Sequence, residues 1–133
     1  MRYLWLVWLS LVAGCGSADL CANTELRRLS SPDGRLDAVL FERNCGATTG
    51  FSSQVSVLPA RAVLNPLFGN ALVVDDNEGA APVADWGGPD VEMRWDGVRT
   101  LRLRHHSAAR VFHATDQVEG ATVIRDTWPH VTP

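Results

Sequence analysis

Residues 91–103, VEMRWDGVRTLRL, constrain the fold more than any other stretch, because apolar and polar side chains alternate along them. Val91, Met93 and Trp95 form one apolar set, and Leu101 and Leu103 another. A period of two belongs to a strand with one buried face. Asp96-Gly97 invites a two-residue hairpin loop. That loop would pair Trp95 with Val98 and Val91 with Arg102, turning the two apolar sets to opposite faces, since a slip of one residue inverts every side chain. An odd-length loop restores the match. A turn over Trp95-Asp96 with Gly97 left-handed pairs residue 94 with 98 and 91 with 101. The expectation is a three-residue loop with a bulge at Gly97, and an outward face of Glu92, Arg94, Arg102 and Arg104.

The remaining sequence reads the same way. Leu26 to Leu29 leads into Ser31-Pro32-Asp33-Gly34, where proline presets the first corner and glycine accepts the positive φ that follows. Leu36 to Arg43 (LDAVLFER) is nearly continuous in apolar character, as a well-buried strand is. Gln54 to Leu58 and Ala71 to Val74 are further strands, with a short helical turn expected around Ala60–Leu64 between Pro59 and Pro66. Asp75 to Pro82 is a solvated loop. Ala109 to Thr115 and Ala121 to Thr127 complete the set, and no useful run of helical period occurs beyond the N-terminal segment. About seven short strands separated by turns imply an all-β fold, a small single-domain antiparallel β-sandwich or open barrel.

The N-terminus sets the compartment. Met1-Arg2 precedes Tyr3 to Gly14, an uncharged run that is shorter than the roughly 20 residues needed to span a bilayer and suits a secretory signal. The run closes in Val12-Ala13-Gly14-Cys15, which resembles a bacterial lipobox. On this reading residues 1–14 are a lipoprotein signal peptide, Cys15 is acylated, 15–20 form the lipidated tether and 21–133 the β-rich domain. An ordinary signal peptide cut after Ala18 is the alternative. Acylation would attach the protein to a lipid membrane, and Gly16 after the cysteine points to the outer membrane facing the periplasm in a Gram-negative cell. Cys21 and Cys45 then remain as an even pair, which in an oxidising compartment reads as a disulfide. A reactive Cys45 thiol is the alternative and would need a base and a lowered pKa.

Composition narrows the partners. A net charge of −3 argues against nucleic acid, which favours strongly basic domains. All 12 Lys+Arg positions are arginine, five of them (Arg94, Arg99, Arg102, Arg104, Arg110) within 91–115. An anionic envelope component or an envelope protein is a conceivable partner for that segment, and a solvated hairpin face is the plainer reading.

The stretch SPDGRLDAVLFERNCGATTGFSSQVSVLP, residues 31–59, resembles a segment of small exported bacterial (lipo)proteins in which an SPDG turn precedes a strand, a CGATTG loop and a serine-rich strand. Cys21-Ala22-Asn23 matches an upstream Cys-x-Asn, and Gly69-Asn70 with Asp75-Asp76 matches a Gly-Asn-then-Asp-Asp segment. The resemblance implies a shared fold, supports a Cys21–Cys45 bridge and implies no activity.

No catalytic set or cofactor motif stands out. Asn44 to Gly50 (NCGATTG) and the serines after it give a candidate binding loop, Thr48, Thr49 and Ser52, whose hydroxyls and flanking glycines suit an anion or a sugar. The alternative is a turn that caps its own backbone. An enzyme would use Cys45, Thr48 or Ser52 as nucleophile with His105 or His113 as base. No metal is expected: His105 and His106 are adjacent on a strand and face opposite ways, and Asp75-Asp76-Asn77-Glu78 lacks EF-hand spacing. Three roles follow: an envelope binding or structural module, a periplasmic hydrolase or thiol enzyme centred on residues 44–53, and a secreted immunity or inhibitor protein.

Overall fold

The computed structural model describes residues 21–46 and 51–129. Cys15, the signal and tether segments, Thr48, Thr49 and His130 lie outside the described residues. The described chain is strands and turns: β1 (Ala22–Ser30), β2 (Leu36–Asn44), β3 (Ser52–Pro59), β4 (Leu72–Asp75), β5 (Val91–Gly97), β6 (Thr100–His106), β7 (Arg110–Ala114), β8 (Gln117–Val118) and β9 (Ala121–Trp128). Nine strands replace the expected seven or so. The additions are β1, largely polar although its Leu26 packs against the core, and β8, only two residues long.

One sheet runs β1-β2-β3-β4-β7 and the other β5-β6-β9-β8, an open two-layer sandwich. Between them lies a core of Leu36, Ala38 and Leu40 from β2, Val55 and Val57 from β3, and Leu72 and Val74 from β4. These meet Val91 of β5, Leu101 and Leu103 of β6, and Val123 of β9. Trp95 Nε1 donates to Leu29 O across the layers at 2.8 Å. The pairings are antiparallel except β6 with β9. A parallel pair requires a crossover, and the chain supplies it by placing β7 in the opposite sheet before returning through β8.

Two local expectations are corrected. In the β5–β6 hairpin, Trp95 pairs with Leu101, Met93 with Leu103 and Val91 with His105. The turn is therefore at Val98-Arg99, and the irregularity falls between Trp95 and Gly97, not at a left-handed Gly97. The apolar set and the outward Glu92, Arg94, Arg102 and Arg104 nevertheless keep the expected faces, because the two registers differ by an even number of residues. The observed register gives the longer ladder. It also sets the Asp96 carboxylate between Arg94 and Arg102, each at 2.7 Å. The second correction is at 60–64, where a single turn, Ala62 N to Pro59 O at 3.0 Å, replaces the helical turn. The SPDG turn forms as expected, with Gly34 at φ 69 and its N–H donating to Ser31 O.

His105 is buried on the inner face of β6, and burial pushes its pKa below the ordinary histidine value. Arg125 Nη1 donates to its Nε2 at 3.1 Å, so Nδ1 carries the hydrogen and donates to His106 O at 2.9 Å. The neutral ring is therefore the folded form. Above about pH 6.5 its stability contribution is complete. As pH falls from there through the lowered folded pKa, the unfolded chain takes the proton first and stability is lost. The melting temperature of His105→Leu should change less between pH 7.5 and 5 than that of the parent. An unchanged pH dependence would refute the assignment.

Candidate functional site

The first sheet is covered on its outer face too, but only in part. Val39, Phe41 and Leu58 are buried there under Ala62 and Leu64. Beyond this cover the face opens into a groove of about 680 Å³, lined among others by Arg43, Gln54, Phe68, Val73, Asp75 and Phe112. That size falls within the roughly 300–1,000 Å³ of small-molecule pockets.

Strand register builds the floor. Residues opposite one another in an antiparallel ladder share a face, and two rows cross all five strands. Asn23, Arg43, Ser52, Asp75 and Arg110 make one row, and Glu25, Phe41, Gln54, Val73 and His113 the other. The register shifts between Val73 and Val74, and the extra residue on β7 is Phe112, 59% exposed at the groove's edge.

The opposite wall is Phe68, 65% exposed. It is placed by Gly69 and Asn70, which dock beside β3 in place of a strand. Gly69 N donates to Gln54 Oε1 at 2.7 Å, Val57 N donates to Asn70 Oδ1 at 2.7 Å, and Asn70 Nδ2 donates to Val57 O at 2.9 Å. A Cβ on Gly69 would lie 2.7 Å from Leu72 O and 2.8 Å from Val55 O, both main-chain atoms. Gly69→Ala should therefore cost about 1–3 kcal/mol in urea unfolding, as overpacking does. Gly97→Ala, with nothing within 4 Å of the new Cβ, should be close to neutral. Equal effects at the two positions would contradict this packing.

Most polar groups of the groove are engaged within the protein. Arg43 Nη1 donates to Asn23 Oδ1 and Pro66 O, both at 2.9 Å, and its guanidinium lies 4.5 Å from the Phe68 ring centroid. Arg110 bonds both Asp75 oxygens, which raises its pKa, and stacks 4.9 Å from the Phe112 centroid. Gln54 Nε2 donates to Ser52 Oγ at 2.8 Å, and His113 Nε2 meets Thr115 Oγ1 at 2.9 Å. Each aromatic wall is thus backed by an arginine from the same row.

At one end the groove reaches Cys45, which is bonded to Cys21. The sulfur of Cys45 is therefore committed. Of the sequence-stated binding loop, Ser52 lines the groove; Thr48 and Thr49 lie outside the described residues. Of the two histidines named as bases, His113 lines the groove and His105 is in the core. Ser52 Oγ bonds Gln54 Nε2 and, at 3.5 Å, Arg43 O. No three His, Cys, Asp or Glu side chains converge on a metal geometry among the described residues. The arginine-rich segment is largely neutralised: Arg94 pairs with Asp96, Arg102 with Asp96 and Asp126, Arg104 with Glu92, and Arg110 with Asp75.

Sequence reading missed Phe68, Phe112, Val73 and Gln54 as site residues. One signal was available. Cys45, Ser52 and Gln54, and likewise Gly69, Val73 and Asp75, come from the stretches compared above with small exported bacterial proteins, and all six line this groove. No family model matches the chain, and neither a curated protein nor a solved structure proved similar to it.

Proposed function

We propose that this chain is a lipid-anchored protein of the bacterial envelope whose disulfide-stapled sandwich serves as a binding module, with the outer-face groove as its binding site. The observation that carries this reading is the Cys21–Cys45 bridge, which suits an oxidising compartment and leaves Cys15, after its apolar leader, as the cysteine for acylation. Two acyl chains on that residue give the lasting membrane attachment that one chain does not. Gly16 favours the outer membrane. The groove supplies a concave surface with aromatic walls, the usual setting for a bound small molecule or side chain.

The anchor is tested by feeding labelled palmitate to the bacterial host. The parent should carry label and Cys15→Ala should carry none; label that survives the substitution would exclude acylation at this site. A thiol enzyme centred on residues 44–53 is the competing reading. It requires a free, reactive Cys45, so titration of the native protein with a thiol reagent separates the two: no reaction is expected before denaturation and reduction.

A further inference from the structure

We infer that the groove takes an acyl chain of a membrane phospholipid, an inference that rests on the proposed anchoring at Cys15. The floor and walls are apolar where they are open, with Val73 between the exposed rings of Phe68 and Phe112. Around them, Arg43 bonds Asn23 and Pro66, Asp75 bonds Arg110, Gln54 bonds Gly69 and Ser52, and His113 bonds Thr115. Most of the polar side chains there already have partners within the protein, so a ligand that relies on hydrogen bonds gains few of them. A ligand that needs none displaces nothing and buries apolar surface. That favours a hydrocarbon chain over a sugar or a free anion.

Position supplies the second half. The six backbone steps from Cys15 to Cys21 span at most about 22 Å. Cys21 is bonded to Cys45, and Cys45 lines the groove. With the further 3.9 Å between the Cys21 and Cys45 Cα atoms, an acylated Cys15 keeps the groove's end within about 26 Å of the bilayer surface. At that distance the lipid is present at the high effective concentration of a tethered partner, and a weak site fills.

The experiment uses the whole acylated protein in its host. Cells are fed a diazirine-bearing fatty acid, which enters the phospholipids, then irradiated, and adducts on the purified protein are mapped by mass spectrometry. Phospholipid adducts are expected on the peptides holding Phe68 to Val73 and Phe112. Phe68→Asp and Phe112→Asp should each lower them roughly tenfold, the scale set by losing one aromatic side chain's burial. Both side chains are exposed, so the variants should fold; a matched melting temperature checks this. Val83→Asp, on another exposed apolar side chain, should leave the adducts unchanged.

Adducts spread over the surface and indifferent to Phe68→Asp and Phe112→Asp would overturn the inference, as would adducts joining the groove to the protein's own Cys15 lipid or to another protein. Palmitate on Cys15 without groove adducts would sink the acyl site and leave the anchor standing. Groove adducts on a protein without Cys15 label would do the reverse.

Discussion

Replacing Cys21 and Cys45 together by serine should lower the unfolding free energy by about 3.5 kcal/mol in the chain-entropy account of disulfides, for a loop with a sequence separation of 24. The effect should also be local. Ala22 pairs with Asn44 at the end of the β1–β2 ladder, and the two cysteines stand at the next cross-strand position. The bridge thus fastens the free end of an edge strand whose only partner among the described strands is β2. Farther along, β1 is held across the sandwich at Leu29 by Trp95 and, at 3.5 Å, at Arg27 by the carbonyl of Val91. The register slip between Glu25 and Arg27 separates that part from Ala22–Glu25, which should fray first. Amide exchange should accelerate most over residues 22–25. The loss should reach the groove as well, because Asn23 accepts a bond from Arg43 and donates to the carbonyls of Asn65 and Leu67. Equilibrium urea unfolding of the double variant, beside the reduced parent, provides the measurement. A common loss below about 1 kcal/mol would show that the bridge adds nothing beyond the ladder, contrary to the entropy model.

Local signals were legible and pairing was not. The SPDG turn depends on its own four residues and their side chains, including Ser31 Oγ to Asp33 Oδ1 at 2.7 Å, so the sequence is sufficient to read it. At 91–103 the alternation determined which side chains face inward, but it was compatible with two registers. The choice between them follows from ladder length and from Asp96 meeting both Arg94 and Arg102. Strand β1, ANTELRRLS, has no clean alternation: it is an edge strand, and the shift after Glu25 breaks its period. The arginine-rich segment read as a cationic face because the carboxylate partners Asp75 and Asp126 are contributed by other strands. The groove is the least legible feature. Arg43, Ser52 and Asp75 become one row only after two registers are fixed, and Phe68 stands where it does because Gln54 and Val57 hold the segment that follows it.

Phe41→Ala should be the most costly single truncation, about 3–5 kcal/mol for removing a buried aromatic side chain. The expectation turns on a feature the alternation rule does not supply. A sheet in a sandwich ordinarily offers its second face to water, and Phe41 points to that face, opposite Leu40 of the core. It is nonetheless fully buried, because the segment after β3 folds back over Val39, Phe41 and Leu58 with Ala62 and Leu64. This explains why β2 is buried at six consecutive positions. The cover is fastened by Asp37, whose Oδ2 accepts from Arg61 N at 2.9 Å and from Arg28 Nη1 at 2.8 Å, while Arg28 Nη2 donates to Ala62 O. Burial raises the Asp37 pKa, but the bonds from Arg61, Arg28 and Ser30 outweigh it and hold the carboxyl below its ordinary value. Its contribution is therefore present above about pH 4 and is lost as pH falls through the folded pKa. Val63 lies within the same cover and is 89% exposed, so Val63→Ala should stay within about 0.5 kcal/mol of the parent. Urea unfolding of the two variants at pH 7 separates a packed cover from a loop that merely passes over the sheet. Equal, small effects at Phe41 and Val63 would mean that the outer face is wet and that the groove has no fixed inner boundary.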